Sequence, residues 1–132
     1  MKVVHTSGKR KRSIARATLK PGTGIIRFNH ILIDNLQPKL ARMKLREPLI
    51  LAEELAAKVD IDINAHGGGF MSQAEAARLA IAKALVEFSK DSKLEKRFQE
   101  YDRQLLVADV RRKETRKPND SRARAARQKS YR

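Results

Sequence analysis

The sequence predicts an α+β fold, a two-layer sandwich with helices on one face of a small mixed sheet, followed by an extended basic C-terminal tail. Three observations carry that expectation. Residues 60–66 alternate apolar Ile61, Ile63 and Ala65 with polar neighbours, the period of a half-buried strand. Ala74, Ala77, Ile81, Ala84, Leu85 and Phe88 recur at helical spacing. After Val110 the apolar pattern stops, so residues 1–110 form the body and residues 111–132 the tail.

Taken in order, Ser13 to Leu19 reads as extended, Pro21-Gly22-Thr23-Gly24 as a turn, and Ile25 to Phe28 as a second strand. Ile31 to Ile33 follows as a short strand or an edge. Helix signals begin near Pro38 and strengthen after Pro48, which suits a first helical position. Leu49, Ala52, Leu55, Ala56 and Val59 then make one apolar stripe. Gly67, Gly68 and Gly69 break the 60–66 strand, and Ser72 with Glu75 has capping-box spacing for the helix that follows. Six alanines between 74 and 84 let that helix approach a neighbour closely. Ser92 with Glu95 repeats the capping box and opens a helix burying Leu94, Phe98, Tyr101 and Leu105. The order strands, helix, strand, helix, helix and tail shows no strict βαβ repeat and no internal repeat.

Charge is concentrated at the two ends. Residues 111–132 hold ten Lys or Arg against Glu114 and Asp120, and the first twenty residues hold seven bases and no acid. These segments carry +8 and +7, the whole of the chain's +15, so residues 21–110 are balanced. Such polarity is the footprint of a nucleic-acid binder, because each phosphate neutralised releases condensed counterions. A charge run is often only a solvated face, but this density exceeds what solubility asks for.

Other classes fall away. The chain has no cysteine, which excludes disulfides, a thiolate zinc site and a catalytic thiol. No apolar run suits a signal peptide or a bilayer span, so a cytoplasmic protein without membrane attachment is expected. His5, His30 and His66 are scattered, and Asp60 and Asp62 read as a solvated strand face rather than an acid–base pair. Gly67 to Gly69 lack the Lys-Ser/Thr of a Walker loop; they serve a turn, or present amides to a backbone phosphate, and the two roles are compatible. No enzyme, cofactor, metal or small-molecule substrate is expected. With neither a zinc finger nor a helix-turn-helix signature, and few aromatics for base stacking, shape and backbone recognition remain.

Four blocks in order then give a resemblance over essentially the entire chain. They are SGKRKRSIARATLKPGTGIIRFN at 7–29, INAHGGGFMSQAEAARLAIAKALVEF at 63–88, LLVADVRRKE at 105–114 and QKSYR at 128–132. Together they resemble the universal small-subunit ribosomal protein number nine, the S-nine family. The VADVRR block and the QKSYR ending are similar to the archaeal and eukaryotic branch, and the short N-terminus favours an archaeal protein. The resemblance implies the left-handed βαβ core of the ribosomal S-five domain-two-like fold and a place in the head of the small subunit. The expected partners are the 3′ major domain of small-subunit rRNA, other head proteins, and the anticodon stem-loop of P-site tRNA.

Carried onto this sequence, rRNA contact is expected at Lys9, Arg10, Lys11, Arg12 and Arg16, at Gly67, Gly68 and Gly69, and along Arg111, Arg112, Lys113, Arg116, Lys117, Arg122, Arg124 and Arg127. The tRNA contact is expected at Lys129, Ser130, Tyr131 and Arg132. The chain departs from the family where Lys117-Pro118-Asn119-Asp120-Ser121 replaces a glycine-rich stretch, where Ala126-Arg127 replaces a basic-aromatic pair, and at Ser72, a glycine in bacterial relatives. An architectural DNA-binding protein is the alternative reading; it shares the salt dependence but prefers duplex DNA.

Overall fold

Val4–Arg10 (β1) and Ser13–Pro21 (β2) form an antiparallel hairpin whose register runs from Val4 opposite Leu19 to Arg10 opposite Ser13. This is a computed structural model that describes residues 2–119 and 122–125. Lys11 turns the hairpin at φ +55°. The sequence reading missed β1. Its inward positions are Val4, Thr6, Gly8 and Arg10, too few of them apolar to register as a strand.

Val59–His66 (β5) pairs antiparallel with the other edge of β2, and Ile26–Phe28 (β3) then pairs parallel with β5. A two-residue strand, Ile31–Leu32 (β4), closes the order β1-β2-β5-β3-β4. β2 and β3 are therefore not partners across the Pro21–Gly24 turn, because β5 lies between them. Asn29 and His30, at φ +49° and +70°, make the tight turn from β3 to β4. Asn29 extends the ladder through its side chain, accepting from the Ala65 amide at 2.8 Å and donating to the Ala65 carbonyl at 3.2 Å.

Asp60 is a loop anchor rather than a merely solvated carboxylate. Its Oδ1 accepts from the amides of Thr23, Gly24 and Ile25 at 2.9–3.1 Å. The amide bonds from Ile25 and Thr23 hold its pKa below the usual carboxylate range. A Cβ at Gly22 would sit 2.2 Å from the Asp60 Cγ, so the turn needs that glycine.

The first helix, α1, spans Lys39–Leu51 and starts immediately after Pro38. Pro48 is thus a buried interior residue, not a first-turn one. Its missing N–H removes one helical bond, and the helix ends three residues later at Leu51, with Ala52 as its C-cap. One further turn, Glu53–Ala56 (α2), precedes β5, so Val59 begins a strand instead of closing a helical stripe.

Phe70–Ser89 (α3) lies across β1, β2 and β5, with α1 packed on it from another side. Ala76, Ala77, Ala80, Ile81, Ala82, Ala84 and Leu85 are fully buried, which explains the alanine density on more than one face. Neither capping box forms. Gly69 is the N-cap of α3 without a side-chain cap, and Ser72 lies inside the helix. Ser92–Tyr101 (α4) is capped by Asp91, whose side chain accepts from the Lys93 amide at 2.9 Å. Leu94 and Phe98 are buried as expected, Tyr101 points to solvent, and Leu105 is buried from a 3-10 turn beyond the helix.

One buried cation ties these helices together. Arg78 of α3 hydrogen-bonds Asp102 through Nη2 at 2.9 Å, and the same nitrogen lies 2.6 Å from Glu47 Oε2 of α1 as an ion pair without hydrogen-bond alignment. Burial opposes ionisation of Asp102. The Gln104 amide and Arg78 nevertheless hold its pKa below the usual carboxylate value. Replacing Arg78 by leucine leaves two carboxylates without their cation, at a cost of about 2 kcal/mol because both acidic side chains remain partly exposed. Urea unfolding checks this; a loss under about 0.5 kcal/mol contradicts it.

Candidate nucleic-acid interface

Three segments distant in sequence meet at one end of α3. The β1–β2 turn brings Lys11 and Arg12 beside the glycine loop, and the chain after the 3-10 turn returns across the same end with Arg111, Arg112 and Lys113. The result is a groove of about 520 Å³ lined by Arg10, Lys11, Arg12, Gly68, Gly69, Ser72, Arg111, Arg112 and Lys113, with no carboxylate in its lining among the described residues.

The glycines divide their roles. Gly67 and Gly68 adopt φ of +79° and +59°, and a Cβ would lie 2.5 Å from the Arg12 carbonyl at Gly67 and 2.3 Å from the Ser13 Oγ at Gly68. The fully buried Ser13 hydroxyl donates to the Gly67 carbonyl at 2.9 Å, and Gln73 Nε2 donates to the same oxygen at 3.0 Å. This loop is therefore stitched to the basic turn, which is the steric role. Gly69 has open space around its Cα and opens the uncapped N-terminus of α3 toward the groove. Free amides there favour an anion.

Not every cation in the lining is available. Arg10 donates through Nε to Glu75 at 2.7 Å and places Nη1 2.8 Å from Asp109. Asp109 also receives the Arg111 guanidinium at 2.7–3.1 Å and the Arg111 amide at 2.9 Å. The Arg111 side chain, then its amide, hold the Asp109 carboxyl far below the usual range, with Arg10 adding to the effect. Arg10, expected at RNA, is thus committed to an internal network, and Arg111 shares its charge with Asp109. Lys11, Arg12, Arg112 and Lys113 form no ion pair among the described residues. Four positive charges beside free helix amides suit a polyanion backbone.

The remaining expected contacts are spread elsewhere. The register puts Lys9 and Arg16 on the sheet face opposite α3, both exposed. Arg116 and Lys117 are exposed, and so is Arg122. The tail is not simply extended over its described part. Residues 111–117 carry no regular structure, Asn119 turns the chain at φ +68°, and Glu114 takes the Arg124 guanidinium across the turn with its Nε at 2.9 and 3.1 Å. Pro118 presets the first half of that turn. Arg127, Lys129, Ser130, Tyr131 and Arg132 lie outside the described residues.

Glu75 and Asp109 went unrecognised in the sequence as site-building residues. A lone acid two residues before Arg111 in a basic stretch was the available signal for Asp109. Glu75 carried none, since its spacing from Ser72 pointed to a cap. Among the described residues no group of three His, Asp or Glu could hold a metal, and no helix is long and apolar enough to cross a membrane.

Comparison with known proteins agrees with the resemblance. The chain is 52% identical over 134 residues to the small ribosomal subunit protein uS9 of Methanococcus maripaludis strain C7, covering all of both chains. It is 50% identical over 132 residues to the uS9 of Methanothrix thermoacetophila, again covering all of both. A five-stranded mixed sheet with a parallel β3–α1–β5 crossover and a helix layer fits the S-five domain-two-like architecture. The family model described as ribosomal protein S9/S16 matches residues 8–132, and the chain belongs to that family.

Proposed function

We propose that the body holds small-subunit rRNA by its phosphate backbone in the groove at the α3 N-terminus, and that the C-terminal residues reach P-site tRNA. The coarser statement follows from family membership: the chain is a non-enzymatic structural constituent of the small ribosomal subunit, in the cytoplasm. The observation that carries the finer reading is the convergence of the basic turn, the glycine loop and the tail root on one groove without a carboxylate among its described lining residues. Placement in the head, on the 3′ major domain and beside other head proteins, rests on the family resemblance.

The four cations without an acidic partner among the described residues give the groove a defined task. Phosphate contacts fix position and orientation without reading bases, which suits docking on folded RNA. Beyond the groove, the stretch from 111 to 132 can span up to ~70 Å at about 3.3 Å per residue once the exposed Glu114–Arg124 pair opens, and less while it is closed. That reach permits Lys129, Ser130, Tyr131 and Arg132 to touch an anticodon stem-loop far from the body.

Deleting Lys129 to Arg132 leaves subunit assembly intact, because the rRNA-binding groove and the core of the body stay in place, and speeds release of P-site tRNA about tenfold, the loss of roughly one charge-assisted contact. Filter-binding kinetics on reconstituted subunits read this. Unchanged tRNA release defeats the tail assignment, while failed assembly gives the tail a structural role instead. Competition between rRNA and duplex DNA separates the ribosomal reading from an architectural DNA-binding one, which predicts preference for duplex.

A further inference from the structure

We propose that Asp109 is the positioning residue of the tail, a clamp that fixes where residues 111–117 leave the body and hence the direction of the basic segment. The local chain makes the case. Apolar anchoring stops at Leu106, which packs partly buried against the core, and beyond it Val107 and Val110 are exposed at 42% and 86%. Asp109 nevertheless lies only 7% exposed, and it is the last buried residue among the described ones.

What draws it inward is charge. One carboxylate joins Arg10 of β1, at 2.8 Å, to Arg111 of the tail, at 2.7 Å. Arg10 is itself held by Glu75 of α3 at 2.7 Å. The result is an alternating chain, Glu75, Arg10, Asp109, Arg111, that runs from the helix through the edge strand to the tail root. The Asp109 carbonyl also accepts from the Arg112 guanidinium. Since Arg10 and Glu75 sit on rigid elements, the exit direction is set by the body and not by the tail's own conformation.

Only the functional consequence rests on the reading of the tail as the tRNA-reaching segment; the clamp itself does not. The chain has no cysteine, so two can be placed cleanly, Lys96→Cys on α4 and Thr115→Cys in the tail, and spin-labelled for distance measurement. Asp109→Asn keeps shape but removes the charge that binds both guanidinium groups. The expected result is a narrow distance distribution for the parent and for Asp109→Glu, and a broadened one for Asp109→Asn, with unchanged helix content. Arg10→Gln breaks the same link from the other side and gives the same broadening, which keeps the test valid if Asp109→Asn fails to fold. An unchanged distribution in both variants overturns the clamp.

In reconstituted subunits the Asn variant speeds P-site tRNA release while assembly proceeds. Broadening with normal tRNA release upholds the clamp and defeats the tail–tRNA reading instead.

Discussion

Replacing Gly8 by alanine destabilises the protein by about 3 kcal/mol, the upper part of the range for forcing a methyl into a filled core. Gly8 lies on β1 beneath α3, and a Cβ there would stand 2.1 Å from the Ala76 carbonyl oxygen and 3.0 Å from the Ala80 nitrogen. Both neighbours are backbone, so no rotamer change relieves the clash. The only relief is to lift the edge strand from the helix, which also strains the Thr6 hydroxyl bond to the Ala80 carbonyl at 2.7 Å. It further displaces Arg10 from Glu75. Urea unfolding with the parent chain measures the loss, and a change below about 1 kcal/mol contradicts this account of the β1–α3 contact.

Neutralising Lys11, Arg12 and Lys113 together to glutamine weakens rRNA binding about 100-fold near 0.1 M salt and lowers the salt slope by about two. Three phosphate contacts release roughly 0.7 to 0.9 counterions each. These three carry the prediction because none has an acidic partner among the described residues, so their removal leaves no buried charge behind. Stability should hold, which separates this variant from Gly8→Ala. Binding of a 3′ major domain fragment measured across a salt series decides it. An unchanged slope would mean the groove does not face phosphate.

Much of this architecture was legible from side-chain period. The β5 alternation placed Ile61 and Ile63 inward, and the α3 stripe placed Ala77, Ile81 and Leu85 in the core. The period marks the most buried face of each element, although α3 turned out to be buried on more than that one. What failed was local chemistry overridden by tertiary contact. Pro48 suits a helix start in isolation, yet α1 begins where the first signals lay, at Pro38, and packing of Ala41 and Leu45 makes Pro48 interior. Ser72 and Glu75 have the spacing of a reciprocal cap, but Arg10 arrives from β1 and takes the carboxylate. β1 was hidden because its inward face needs a glycine and a threonine to admit α3.

The site divides in the same way. Lys11, Arg12, Arg111, Arg112 and Lys113 were legible because charge density is a property of the chain. Their meeting in one groove was not, since it depends on the Ser13–Gly67 bond and the return of the chain at Asp109. Periodicity likewise cannot tell Arg10, committed internally, from Arg12, which is free to bind.

The most direct test of the central claim, that this groove is where the protein meets RNA, is lysine labelling in intact small subunits before and after ribonuclease digestion. Lys11 and Lys113 are expected to resist an amine-reactive reagent in the subunit and to become labelled once the RNA is removed under native conditions. Equal labelling of both lysines in the two states would contradict it.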